Sequence, residues 1–273
     1  MSRVTGRRHY RPRYLQVAED LRDEILRGDL AAGDPLPGEP VLAERYHLSR
    51  TSVRDAIKLL RDWGLVRAEP GRGTRVRTQR QRVRRTPERY QWEKDRVRLP
   101  EHERRTAGAT EKDTGLKVDD LEFHAEYSTV EAGADLAERF QVPVGTRLLH
   151  RVYWTSSVKE GAALTLARSW LVYDVAAANP DLLDAANEPW PGGTQHQLHT
   201  LGIEVDHVID EITARPPQPD EAHILDIGPG VSVLVLRKTS VDTEGRVAEV
   251  AETVLPGDRT ELVYTTRLER WSG

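Results

Sequence analysis

The stretch Glu39–Arg77 constrains this chain more than any other. Leu42, Ala43 and Tyr46 recur at helical spacing, which predicts a short amphipathic helix over Pro40–Tyr46 with Pro40 in its first turn. His47-Leu48 reads as a turn, and Ser49 then stands where a hydroxyl can accept from a free backbone N–H at the start of the next helix. Val53, Ile57, Leu60 and Leu65 mark the buried stripe of that second helix. Arg50, Thr51, Ser52 and Arg54 stay off the stripe, at its N-terminal end. Two short basic strands follow, 65–69 and 74–77, around the turn Pro70-Gly71-Arg72-Gly73, where glycine admits backbone conformations other residues resist. A helix whose apolar face docks inward while its first-turn polar side chains project suits entry into a DNA major groove. Arg72 at the hairpin tip beside Gly73, with Arg75 and Arg77 behind, suits a wing on the sugar-phosphate backbone or the minor groove. The reading is a winged helix-turn-helix.

Charge supports that reading. Residues 1–90 hold 21 Lys and Arg against 12 Asp and Glu, a net +9, while the remaining residues hold 19 against 32, a net −13. The overall charge of −4 therefore hides a basic first third, which points to a polyanion partner for that part alone. Residues 1–13 are Arg-rich and nearly free of apolar side chains, a basic arm suited to phosphates or simply to solvent. From Tyr14 the positions Leu15, Val17, Ala18, Leu21, Ile25 and Leu26 predict a first helix stopped at Gly28. The winged helix-turn-helix is thus expected over 14–78, and the highly charged, aliphatic-poor run 79–112 reads as a linker, with Tyr90 and Trp92 available to pack on a neighbouring domain.

From about residue 113 to 270 hairpin strands alternate with helices. Strands are expected at 118–129, 147–156, 163–172, 205–214, 232–242, 246–255 and 260–268, and helices at 132–140, 194–201 and 219–225. That mixture predicts an α+β domain on an antiparallel sheet.

The chain has no Cys, which removes disulfides, thiolate metal sites and a Cys nucleophile. No apolar run approaches the ~20 residues of a membrane span. The basic start has no apolar stretch after it, unlike a secretory leader, so the expected location is cytoplasmic. His196 and His199 are spaced for one metal ion, but without Cys or an HExxH pattern they read as surface residues, and no metal or cofactor is expected. No catalytic constellation is visible among the Ser, His and Asp residues.

Residues 14–78 resemble the GntR family of bacterial repressors. The resemblance rests on Leu-Pro-Gly-Glu at 36–39, Leu-Ala at 42–43, Ser-Arg-Thr-Ser-Val-Arg-Asp at 49–55, Gly-Leu-Val at 64–66 and Gly-Arg-Gly-Thr at 71–74. The C-terminal segment resembles the effector-binding UTRA domain of the HutC subfamily, whose fold is chorismate-lyase-like. It does so through His-Arg-Val-Tyr at 150–153, Arg-Ser-Trp-Leu at 168–171, the run 221–234, and 237–240 followed by 249–259. The resemblance implies a homodimeric repressor that binds an inverted-repeat operator in double-stranded DNA. A small molecule in the C-terminal domain would change its DNA affinity.

By the same resemblance Arg50, Thr51, Ser52, Arg54, Arg72, Gly73 and Arg75 are the candidate DNA contacts, and an Arg fork can bond O6 and N7 of one guanine. Many relatives carry a base-contacting Arg directly after the motif's Glu, where this chain has Pro40. Candidate effector contacts are Arg151, Tyr153, Arg168, Ser169, Glu249 and Thr253, which suit an anionic or polyhydroxylated ligand. Relatives commonly show two alternate arginines where this chain has Arg151 and Tyr153, and an acidic residue where it has Ala167. A structural ion pair between Arg151 and Glu249 is the competing reading of those two residues. Two other functions stay open at this point, an enzyme domain fused to a DNA-binding head and an architectural DNA-binding protein with an inert dimerisation domain.

Overall fold

Apolar spacing in the first 80 residues builds three helices around one small core. The computed structural model describes residues 12–77, 80–228 and 230–270. The chain divides into two compact units, residues 1–80 with 227–231, and residues 81–226 with 232–273. Most of the expected basic arm, residues 1–11, lies outside the described residues.

In the first unit α1 (Arg13–Arg27) ends at Gly28, whose φ of 83° provides the left-handed stop. Helix α2 (Glu39–Tyr46) carries Pro40 in its first turn, and α3 (Arg50–Asp62) follows the left-handed His47 and the extended Ser49. Ser49 Oγ accepts from Ser52 N at 3.2 Å, so the expected N-cap is in place. Val17, Ala18, Leu21, Leu42, Val53, Ala56, Ile57 and Leu60 form the core with Val66, the first residue of the wing. The wing is the antiparallel pair β1 (Val66–Glu69) and β2 (Gly73–Val76), with Arg67 opposite Arg75. The stretch after α1 lies along β2, through Leu36 N to Thr74 O at 2.8 Å and Val76 N to Asp34 O at 2.9 Å.

The second unit begins with a segment that composition reads as a linker but that is structured. It holds β3 (Val83–Arg85), α4 (Glu88–Arg96), α5 (Glu101–Arg104) and α6 (Ala109–Thr114). Few aliphatics are needed there because ion pairs and aromatic side chains hold it in place. Arg89 Nη2 pairs with Glu93 at 3.0 Å, Arg89 Nη1 also pairs with Asp113, and Tyr90 Oη donates to both carboxylate oxygens of Asp210 at 2.9 Å.

The rest is a six-stranded antiparallel sheet. Its elements in chain order are β4 (Leu121–Glu131), α7 (Ala134–Phe140), β5 (Arg147–Ser157), β6 (Ala162–Val172), α8 (Tyr173–Ala176), α9 (Gly193–Thr200), β7 (Val205–Arg215), α10 (Pro219–Ile224), β8 (Val233–Asp242) and β9 (Val247–Pro256). The strand order is β4-β5-β6-β9-β8-β7. The last expected strand, 260–268, is shorter than its pattern suggested: β10 (Thr260–Leu262) pairs in parallel with β3 and stops, because β3 is itself three residues long.

Alternation gives this sheet two distinct faces. On one, α7 buries Phe140 and Ala137 against Leu148 and Val250. On the other, α8 and α9 bury Ala176 and Leu198 against Leu149 and Leu171. Helix α4 packs against α9 and α6.

Candidate nucleic-acid interface and ligand cavity

The sequence-nominated DNA contacts fall into two groups by exposure. Arg50, Thr51 and Arg54 are exposed on the first turns of α3, and Arg72 and Gly73 are exposed at the wing tip. Gly73 has φ 84° and Gly71 has φ 73°, conformations that a side-chain-bearing residue adopts only under strain. Ser52 is half-buried and its hydroxyl lies 3.1 Å from Ser49 Oγ, so part of its bonding capacity is spent on the cap. Arg75 is half-buried as well. Its Nη1 donates to Gly33 O at 2.8 Å and its Nε sits 3.2 Å from Glu69, which also takes Arg67 at 2.8 Å. Arg75 therefore braces the wing from within. Arg54 does not pair with Asp55 or Glu44; its Nε donates to both oxygens of Glu39, at 2.9 and 3.1 Å.

In the second unit the sheet face under α9 and the segment 83–113 encloses a cavity of about 690 Å³. Its floor includes five small side chains that alternation brings to one face: Ala167 and Ser169 on β6, Ala251 and Thr253 on β9, and Ser240 on β8. Small residues opposite a roof held by the Arg89–Glu93 and Tyr90–Asp210 contacts leave a space instead of a packed core. The size lies within the range of small-molecule sites.

A buried polar cluster borders this floor. Glu249 Oε1 accepts from Arg151 Nη2 at 3.0 Å and from Ser169 Oγ at 2.6 Å, while its Oε2 is 2.7 Å from Lys238 Nζ. Burial alone would raise the Glu249 carboxyl; the charges of Lys238 and Arg151, with hydrogen bonds from Lys238 and Ser169, outweigh it and hold the group down at about 2. Arg151 Nη1 also donates to Gln197 Oε1 at 2.6 Å. A second carboxylate, Glu188, accepts from Gln197 Nε2 at 2.8 Å, Tyr153 Oη at 3.2 Å and Trp190 N at 2.6 Å, and also from Tyr127. Burial keeps the Tyr153 hydroxyl well above its ordinary range, so it stays a donor.

Of the nominated effector contacts, Tyr153, Ser169, Glu249 and Thr253 line the cavity. Arg151 does not: it is 0% exposed and lies behind the lining, the Glu249 ion pair being its structural role in this arrangement. Arg168 is on the opposite face, opposite Val152 and not Arg151, where it bonds Glu221 at 3.3 Å and Asp220 at 3.4 Å. Ser169 and its neighbour Arg168 cannot both face the cavity, since adjacent strand residues point to opposite sides.

Sequence reasoning missed Lys238, Gln197, Glu188 and the roof residues Trp92, Arg96 and Arg104, all of which line the cavity. The Glu244-Gly245 hairpin could have identified one of them. Its register sets Ser240 opposite Glu249, and alternation from Ser240 reaches Lys238. Gln197 lies on the expected helix 194–201, whose facing the spacing left open, and the others come from segments read as linker or irregular. Among the described residues no group of three or more His, Cys, Asp or Glu is placed to hold a metal ion. His196 instead accepts from Trp190 Nε1 at 2.9 Å. No helix among the described residues is long and apolar enough to cross a membrane.

A winged helix-turn-helix with an exposed recognition turn, carried with an α+β domain that encloses a ligand-sized cavity, defines the class of DNA-binding transcriptional regulators. The family model of bacterial regulatory proteins of the gntR family matches residues 13–76, and the UTRA domain model matches residues 124–261. The chain belongs to the GntR family of regulators and carries a UTRA domain. Its relatives include an HTH-type transcriptional regulator of Streptomyces coelicolor, 29% identical over 254 residues that cover 93% of this chain and 92% of the relative. Another, from Rhizobium meliloti, is 28% identical over 254 residues, covering 92% and 93%. A crystal structure of a GntR-family transcriptional regulator superposes with a TM-score of 0.59 at 26% identity, covering 95% of this chain and 99% of that one. PhnF from Mycobacterium smegmatis shares the fold, with a TM-score of 0.50, 23% identity and coverage of 93% and 100%.

Proposed function

We propose that this regulator is a cytoplasmic repressor of the HutC subfamily. It binds an inverted-repeat operator as a homodimer and alters its DNA affinity when a small molecule occupies the UTRA cavity. The observation that carries the reading is the cavity itself. A DNA-binding protein with an inert second domain has no use for about 690 Å³ bordered by hydroxyls and a fixed Lys238–Glu249 pair. In this reading residues 14–78 read DNA, and the domain reaching to residue 270 binds the effector and dimerises. Residues 79–112, the nominal linker, contribute its roof. Arg50, Thr51, Arg54 and Arg72 contact DNA directly, Ser52 and Gly73 support the same surface, and Arg75 braces the wing.

Tyr153, Ser169, Thr253 and Glu249, with Lys238, offer both donors and acceptors, which suits a hydroxyl-rich portion of the effector. Binding is favoured over turnover because the two carboxylates at the sheet floor, Glu249 and Glu188, are already bonded to cations, hydroxyls or amides.

A gel-shift series on the protein's own upstream region tests this reading. The expected result is binding that favours the upstream fragment over random duplex, weakens as salt rises, and is relieved by one compound from a thermal-shift metabolite screen. Equal binding to random DNA at every salt concentration would sink the operator reading. A screen without a single stabilising compound would sink the effector reading.

A further inference from the structure

Most cationic side chains around the cavity are paired with carboxylates within the protein. Lys238 and Arg151 share Glu249, and Arg85 and Arg89 share Asp113. Arg96 and Arg104 are different. Both line the cavity from the roof, both are half-buried, and neither makes an ion pair among the described residues.

Their partners are backbone carbonyls. Arg96 Nη2 donates to the carbonyls of Glu103 at 2.7 Å, Ala107 at 3.1 Å and Arg104 at 3.2 Å. Arg104 Nε donates to Pro191 O at 3.1 Å and Nη1 to Leu99 O at 2.5 Å. Carbonyls fix a guanidinium in place without cancelling its charge. Arg96 Nε and Nη1, and Arg104 Nη2, keep hydrogens with no protein acceptor among the described residues.

The surroundings add to the site. The Arg96 guanidinium carbon lies 4.8 Å from the Trp92 ring centroid, and Lys112 Nζ lies 4.8 Å from the same centroid, so positive charge gathers around that ring. The stem of Arg104 passes close over the turn before α9, where residue 192 is glycine. A Cβ there would lie 2.9 Å from Arg104 Cδ and 2.8 Å from His196 Cβ, and the φ of 95° disfavours one in any case. Two fixed, unpaired guanidiniums in a partly desolvated cavity attract an anion far more strongly than exposed ones do.

We propose that Arg96 and Arg104 form an anion subsite in the cavity roof, which takes the acidic group of an amphipathic ligand whose ring or apolar body lies against Trp92 and Trp190. The inference rests on the reading of this cavity as the effector site. It places the acid-binding end on residues 96–104, outside the stretch matched by the UTRA model, and leaves the sheet floor to the ligand's hydroxyls.

Two fluorescent probes with the same aromatic body separate charge from apolar fit: 8-anilinonaphthalene-1-sulfonate and the uncharged N-phenyl-1-naphthylamine. On the full chain the sulfonate should bind roughly tenfold or more tighter, the return on one or two charge-assisted hydrogen bonds. In R96Q and R104Q that preference should shrink towards unity while the neutral probe binds within about twofold of its original affinity, showing an intact cavity. R104K, which keeps the charge, should retain more of the preference than R104Q. A251W, which fills the floor, should weaken both probes. Equal affinity of the two probes for the unaltered chain, or an unchanged preference in R96Q and R104Q, would overturn the anion subsite alone. Both probes binding A251W undiminished would overturn the effector cavity together with it.

Discussion

Arg54 Nε stands between the two carboxylate oxygens of Glu39, 2.9 and 3.1 Å away, so the residue that opens α2 orients a side chain on α3. The fork keeps its Nη groups for another acceptor. Arg54→Ala should lower operator affinity by about ten- to a hundredfold, the value of a bidentate guanine contact, with the fold intact. Glu39→Gln should give a smaller loss together with relaxed discrimination at a single base pair. Fluorescence anisotropy against a set of single-position operator variants reads both. Undiminished affinity in Arg54→Ala would mean that α3 enters the groove in another orientation.

Ser49 caps α3 through Ser52 N and also touches the Ser52 hydroxyl. Ser49→Ala should cost about 1 kcal/mol in urea unfolding of the DNA-binding unit, and Ser49→Asp should restore most of it, because a carboxylate also accepts at a helix N-terminus. An equal loss in both variants would remove the cap as the cause.

Glu249 links acid to stability. Its folded carboxyl titrates at about 2, below the ordinary carboxylate range near 4.3. The contribution is therefore complete above the ordinary value and disappears as pH falls through it towards 2. The urea midpoint of the second unit should drop progressively from pH 5 to pH 2. Glu249→Gln should flatten that profile and destabilise at neutral pH by about 3–5 kcal/mol, because Arg151 and Lys238 are left without their shared anion. A neutral-pH loss under 1 kcal/mol would show that water or rearrangement supplies the missing partner.

Tyr90 is the hydroxyl that ties the roof segment to β7, at 2.9 Å from both oxygens of Asp210. Burial, with the nearby Asp210 carboxylate, holds its proton well above the ordinary tyrosine range, so the bond persists across physiological pH. Tyr90→Phe should cost about 1–2 kcal/mol and raise amide exchange in α4 above that of the sheet. Unchanged exchange in α4 would mean that its other contacts suffice.

Local spacing determined the helix-turn-helix and its wing. Val53, Ile57 and Leu60 on one face of thirteen helical residues, a hydroxyl at Ser49 and glycines at 71 and 73 all act over a few residues, so helix, cap and wing could be read before any contact was known. Strand alternation likewise made the α+β sheet readable. It also holds Arg168 and Ser169 on opposite faces, but says nothing of which face is covered.

That choice belonged to tertiary structure. α9 and the segment 83–113 lie over the face of Ser169, and α7 over the other, which leaves Tyr153, Ser169, Glu249 and Thr253 at the cavity and turns Arg168 towards Glu221. Arg151 and Glu249 meet across 98 positions of sequence, and Arg104 reaches Pro191 across 87. A side chain's charge is written in the sequence. Whether a partner cancels it depends on contacts that form only when distant segments pack.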